Sequence, residues 1–214
     1  MDFFLIFAEW LGTVAFALSG AIKGLRKRLD LFGVFLLALV TAMGGGVLRD
    51  VLLGHTPPRM FFSGDNVLVS LFVAVILFYV YKDHHRLIEV GEIGDWVFGI
   101  CDAIGLGVFA VVGTQTAMQA GYEDNLFLCL FMGTITGVGG GVMRDMMCQE
   151  VPAIFVRHIY ALAATAGSCL YYVLISINAS DVPSAVIAIV FTVSIRVLAR
   201  YYRWNLPRIK DDEK

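Results

Sequence analysis

The chain has 214 residues, 58% hydrophobic and 16% charged, with 16 Lys and Arg against 18 Asp and Glu for a net charge of −2; its mean hydropathy is +0.78. A soluble protein of this size needs more polar surface, and mostly apolar runs of about 18 residues or more recur along the sequence, so the composition is that of a membrane protein. No phosphate loop, dinucleotide fingerprint or nucleophile-plus-base pattern occurs, which argues against an enzyme.

Met1-Asp2-Phe3-Phe4 carries no basic leader and no small-residue cleavage site follows, so the first apolar run is expected to stay in the mature protein. Apolar runs then fall at 3–22, 31–53, 64–81, 96–118, 125–147, 158–177 and 182–199. They predict an all-α membrane protein of seven transmembrane helices in one domain, residues 1–204, followed by a short charged tail, 205–214. The connection Lys23-Gly24-Leu25-Arg26-Lys27-Arg28 is basic, as is the tail with Arg203, Arg208 and Lys210. With an odd number of spans both lie on one side, which the positive-inside rule makes cytoplasmic, leaving the N-terminus outside. The opposite connections carry Asp2, Asp65, Glu123, Asp124 and Asp181 against only Arg59. Solvated carboxylates are ordinary on such a face, though a field of this sign also attracts cations.

Within this frame the chain repeats itself. Gly12-Thr13-Val14-Ala15-Phe16-Ala17-Leu18-Ser19-Gly20 aligns with Gly105-Leu106-Gly107-Val108-Phe109-Ala110-Val111-Val112-Gly113 at an offset of 93 residues, which also carries Glu9 to Asp102. Gly44-Gly45-Gly46-Val47-Leu48-Arg49-Asp50 returns as Gly139-Gly140-Gly141-Val142-Met143-Arg144-Asp145 at an offset of 95, which carries Pro57 to Pro152. Spans one to three, about 3–81, and four to six, about 96–177, are two copies of one unit; the seventh, 182–199, stands outside. Three spans per unit send the second copy into the membrane from the other side. The repeats are therefore expected to be inverted, a plan that places substrate or ion sites where the two copies meet.

The doubled motif is costly where it stands. Each glycine costs about 1 kcal/mol against alanine inside a helix, and each Arg or Asp roughly 2.5–3.5 kcal/mol at the centre of a membrane helix. Gly44, Gly45, Gly46, Gly139, Gly140 and Gly141 are expected to bend or unwind their helices beside a water-filled path, close helix packing being the plainer alternative. Gly12, Gly20, Gly99, Gly107 and Gly113 read as packing glycines. Arg49, Asp50, Arg144 and Asp145 form the charged group beside the bends; adjacent residues do not share a helix face, so a crossed pairing of Arg49 with Asp145 and Arg144 with Asp50 is expected. Glu9 and Asp102 are candidate acidic entries at two mouths. Ser19, Thr41 and Thr136 are candidate oxygen ligands, unless their hydroxyls bond back to their own helices.

Other polar features read more plainly. His84 and His85 fall in a charged loop, and Cys101, Cys129, Cys148 and Cys169 read as small buried hydrophobes without metal-ligand spacing. The basic tail, mixed with Asp211, Asp212 and Glu213, suits membrane lipids better than nucleic acid.

Two copies of G-G-G-x-x-R-D in corresponding spans resemble the bacterial branch of the trimeric intracellular cation (TRIC) channel family, also known as glycine-transporter-domain membrane proteins. The resemblance covers residues 1–204. It implies two inverted three-helix repeats plus a seventh helix, assembled as a homotrimer in a bacterial cell membrane. It further implies a monovalent cation (K+/Na+) pore in each subunit, bordered by the glycine-bent second and fifth helices, which would hold permeant K+ or Na+ but no cofactor and no resident metal. The competing reading is a secondary transporter of a small zwitterion such as glycine, for which inverted repeats with broken helices are equally suited.

Overall fold

The computed structural model describes residues 3–62, 64–83, 92–156 and 159–204. The loop bearing His84 and His85 and the tail from 205 lie outside the described residues. Among them the structure is all helical: α1 (Phe3–Arg26), α2 (Leu31–Leu52), α3 (Asp65–Asp83), α4 (Glu92–Ala117), α5 (Leu126–Met147), the single turn α6 (Ala153–Val156), α7 (Tyr160–Ser176) and α8 (Asp181–Tyr201). A 3-10 turn, Arg59–Phe61, precedes α3, and a π-helical turn, Met118–Tyr122, ends α4 with Gly121 at φ +88°.

Local chemistry sets the boundaries. The Asp30 side chain accepts a hydrogen bond from Gly33 N at 2.7 Å and opens α2; Asn125 accepts one from Leu128 N at 3.0 Å and opens α5. These two caps are repeat equivalents, 95 residues apart. Helix α1 runs past the predicted end at residue 22 to Arg26. Lys23, Leu25 and Arg26 are good helix formers, and cations in a last turn offset the carbonyl end of the helix dipole. Four of the six residues of the predicted basic loop are thus helical.

Six helices among the described residues are long and apolar enough to cross a membrane: α1, α2, α3, α4 with its π turn, α5 and α8. Helix α7 has only 17 residues, about 25 Å at 1.5 Å rise, against a hydrocarbon core of about 30 Å. The predicted run 158–177 is thus shorter as a helix than as a hydrophobic stretch.

Packing is organised by four helices in a ring, each contacting its neighbours: α1 on α2, α2 on α5, α5 on α4 and α4 on α1, with few contacts across the diagonals. Helix α3 covers α1 and α2, α7 covers α4 and α5, and α8 packs on α4 and α7. The core is small-residue and aromatic, with Phe16, Ala17, Ala21, Ala38 and Ala42 between α1 and α2. The outside is apolar: Phe72, Phe127 and Phe155 are each more than two-thirds exposed, as a bilayer-facing surface requires. All four cysteines are free; Cys129 is buried and the other three are partly so.

Candidate functional site

The glycine triplets do not interrupt their helices. Helices α2 and α5 run unbroken through residues 44–46 and 139–141, which corrects the expectation of unwound backbone with freed carbonyls. Their use is contact between main chains. A Cβ on Gly45 would stand 2.0 Å from the Thr136 carbonyl oxygen, and one on Gly140 would stand 1.9 Å from the Thr41 carbonyl oxygen. Helices α2 and α5 therefore touch backbone to backbone at two equivalent points, an approach that only glycine permits. Around this contact Gly44 is covered by Met143 and Gly139 by Leu48, again equivalents. Thr41 Oγ1 and Thr136 Oγ1 bond back to the Leu37 and Met132 carbonyls, both at 2.6 Å. They have spent their protons within their own helices.

The charges form two separate groups. In the first, Arg49 donates from Nε and Nη2 to Asp50 Oδ1 at 2.9 and 2.8 Å, and Asp50 Oδ2 accepts from Arg59 N at 2.9 Å. In the second, Arg144 Nε donates to Asp145 Oδ1 at 2.9 Å, and Asp145 Oδ2 accepts from Ala153 N at 3.0 Å. The crossed pairing is thereby corrected: each arginine bonds the aspartate next to it in sequence. Short neighbouring side chains diverge, but an arginine stem is long enough to fold its guanidinium over an adjacent carboxylate. That carboxylate is held in place by a backbone N–H from the segment after its own helix. Both aspartates stand in the last turn, where the helix dipole disfavours an anion, and each arginine with its amide supplies the compensation.

The surroundings of the two groups differ. The first opens on a cavity of about 250 Å³. Its polar wall is Glu9, Thr13, Arg49, Asp50, Arg59 and Asn66, contributed by α1, α2, the turn before α3 and α3 itself; Met43 and Phe109 form its apolar floor. Glu9 is partly buried and faces this space with two cations and one further anion.

The second group is sealed. Arg144 is 1% and Asp102 0% exposed. Arg144 Nη1 reaches Asp102 Oδ1 at 2.8 Å and Ser19 Oγ at 2.6 Å, and its guanidinium lies 4.9 Å from the centre of the Phe98 ring. Arg196 of α8 adds a second cation, 3.8 Å from Asp102 Oδ2 and stacked 4.4 Å over the Tyr160 ring. Asp102 is thus no exposed entry but the buried centre of an ion-pair network joining α1, α4, α5 and α8. Beyond it Lys23 lies 4.0 Å from Asp145 Oδ1 and bonds Glu150, which Lys27 also holds at 2.7 Å. The Lys23 and Lys27 hydrogen bonds draw the Glu150 carboxyl down to about 2, and Glu150 raises the Lys27 ammonium above its ordinary value.

Of the sequence candidates, Glu9, Arg49 and Asp50 meet in the open group, and Ser19, Asp102, Arg144 and Asp145 in the closed one. Arg59, Asn66, Arg196, Tyr160 and Glu150 were not singled out as site residues. Arg196 carried a usable signal, a charge inside an apolar run; the others carried none.

Family comparison agrees with the repeat. The family model described as glycine transporter matches the chain twice, over residues 6–82 and 99–176. The chain belongs to this family. It is 33% identical over 205 residues to an inner membrane protein of Escherichia coli, YadS, covering 94% of each chain, and 33% identical over 198 residues to a Vibrio cholerae membrane protein, covering 92% of this chain and 79% of that one. Among solved structures, a TRIC cation channel studied for the basis of its conductance matches with a TM-score of 0.84 and 35% identity over 100% of both chains. The Rhodobacter sphaeroides TRIC orthologue matches with a TM-score of 0.85 and 30% identity over 95% of this chain and 100% of that one. The resemblance carried by the doubled glycine motif is therefore correct: this is a TRIC-family, multi-pass membrane protein.

Proposed function

We propose that the protein is a monovalent cation channel, passing K+ and Na+ through a pore within each subunit of a homotrimer. The pore enters at the Glu9–Asp50 cavity and leaves past Lys23 and Glu150, bordered by α2 and α5. The observation that carries this reading is the cavity of about 250 Å³, walled by charged and polar side chains and reaching the α2 glycine motif, in a chain matching a TRIC cation channel along its whole length. Its carboxylates, set among low-dielectric walls, suit a cation shedding water. The trimer rests on the Rhodobacter sphaeroides relative, described as trimeric.

The membrane plan accompanies this reading: two inverted three-helix repeats plus a seventh helix, α7 counting as a short sixth span, with the N-terminus outside and the C-terminus cytoplasmic. The double family match and the paired contacts of Gly45 and Gly140 support the repeat. The unbroken α2 and α5 favour a channel over a zwitterion transporter, which would use half-helix N-termini to hold a carboxylate. No catalytic turnover is expected.

Purified protein in a planar bilayer under asymmetric KCl tests this directly. Unitary current steps reversing near the K+ potential are expected. Saturable glycine counterflow without current would replace the channel reading by the transporter one.

A further inference from the structure

One face of α1 is built as a sequence of environments. Glu9 and Thr13 line the cavity, Phe16 follows, Ser19 joins the Arg144 network, and Lys23 bonds Glu150. Steps of three and four residues keep all five on one stripe of the helix. The equivalent positions on α4 are Asp102, Leu106, Phe109, Val112 and Thr116, so the positions immediately flanking the aromatic ring are polar on α1, Thr13 and Ser19, and apolar on α4, Leu106 and Val112.

Phe16 and Phe109 are repeat equivalents, and they meet. Their rings stack with centroids 5.3 Å apart and planes 26° from parallel. Phe16 is 1% and Phe109 9% exposed. Each ring lies on the other helix's glycine: a Cβ on Gly105 would stand 2.2 Å from Phe16 Cδ1, and one on Gly12 would stand 3.2 Å from Phe109 Cε2. Phe109 also forms the cavity floor beside Met43. The pair thus occupies the one level of the α1 stripe that has no polar group, about 9 Å of helix between Thr13 and Ser19.

We propose that the Phe16–Phe109 stack is the hydrophobic barrier that sets the rate of cation passage, separating the hydrated Glu9–Asp50 cavity from the Ser19–Asp102–Arg144 network. This rests on the channel reading. A hydrated cation reaching Met43 and Phe109 finds no oxygen to replace its water, so the segment stays dry and non-conducting until the rings part. Glycines at 12 and 105 leave the rings no Cβ to climb over, so they can slide along the α1–α4 contact.

The test separates polarity from packing. Phe109→Asn and Phe109→Leu leave side chains with the same branched four-atom skeleton, but only asparagine offers water a partner. With full-length protein in KCl-loaded liposomes, K+ flux is expected to rise roughly tenfold in Phe109→Asn, equivalent to about 1.4 kcal/mol of barrier, and to rise several-fold less in Phe109→Leu, which keeps the segment dry. Where Phe109→Asn does not purify as monodisperse protein, Phe109→Thr carries the same expectation. Equal flux in wild type, leucine and polar variants overturns the barrier while leaving the channel intact. Silence in every variant and in wild type overturns the channel reading and the barrier with it.

Discussion

Helices α2 and α5 end in the same seven-position pattern and meet the same geometric demand, yet their last turns face opposite settings. Arg49 and Asp50 border a cavity with Glu9, Arg59 and Asn66. Arg144 and Asp145 are enclosed, with Asp102, Ser19 and the Arg196 of a helix that belongs to neither repeat. The motif itself supplies a close helix crossing and a self-satisfied ion pair, both compatible with a membrane interior. What becomes of that pair is decided by its neighbours. The extra helix packs a second cation against one copy, and among the described residues no counterpart covers the other, which borders the cavity.

The largest expected effect is on the closed side. Arg144→Ala leaves Asp102 and Asp145 buried and each without its nearest arginine, and should cost about 3–5 kcal/mol, seen as lost yield and a lowered thermal midpoint in detergent. Arg49→Ala removes hydrogen bonds to one aspartate that water in the cavity can reach, so a cost nearer 1.5–3 kcal/mol is expected. Similar losses in the two variants would mean that the closed group is as wet as the open one.

The glycines give the next contrast. Gly45→Ala and Gly140→Ala force a methyl against a carbonyl oxygen and should each destabilise by roughly 1–3 kcal/mol, about equally, since the contact is mutual. Gly46→Ala is different: its Cβ would meet nothing nearer than Arg49 Nη2 at 3.8 Å, and alanine is favoured by about 1 kcal/mol in a helix interior. Its midpoint should rise. The equivalent Gly141→Ala must displace the Tyr160 hydroxyl at 2.9 Å and should not gain. A destabilised Gly46→Ala would show that α2 needs glycine there for motion rather than contact.

Helix content, the repeat and the location of the charges were legible in the sequence because each follows from periodicity or exact recurrence. The partners were not. The rule that consecutive helix residues diverge concerns Cβ directions, and it failed for Arg49–Asp50 and Arg144–Asp145 because a long stem and a carboxylate pinned by Arg59 N or Ala153 N lie beyond its scope. Three glycines in a row suggested a bend, whereas the helices run unbroken and the first two glycines of α2 and all three of α5 stand against neighbouring atoms; no contact explains glycine at 46. Glu9 and Asp102 align perfectly in sequence and part in structure, since burial is set by α8, which the repeat does not contain.

That divergence yields a smaller functional effect. Glu9→Gln removes one carboxylate from the cavity without disturbing an ion pair, so K+ conductance should fall by about two- to threefold at low ionic strength and recover as salt screens the field. Asp102→Asn, at the equivalent position, should instead lower stability, because it unbalances Arg144 and Arg196 in a dry network. A salt-independent loss of conductance in Glu9→Gln would place the carboxylate in direct contact with the ion.

The weakest effect concerns the clasp beyond the closed group. Lys23 and Lys27 hold the Glu150 carboxyl from its ordinary 4.5 down to about 2, so its contribution to stability is present above about 4.5 and is lost as pH falls through about 2. The Lys27 ammonium is raised by the same contact, so its share is present below the ordinary lysine range and is lost only as pH rises beyond it. Between these limits the clasp is constant. The midpoint difference between wild type and Glu150→Gln should therefore be flat from about pH 5 to pH 9 and close at lower pH. It should also be small, because Glu150 is 38% exposed and solvent screens the pair. A difference that changes near neutral pH would assign the clasp to a group other than Glu150 and the two lysines, and would make the closed half, rather than the open cavity, the pH-sensitive side of the molecule.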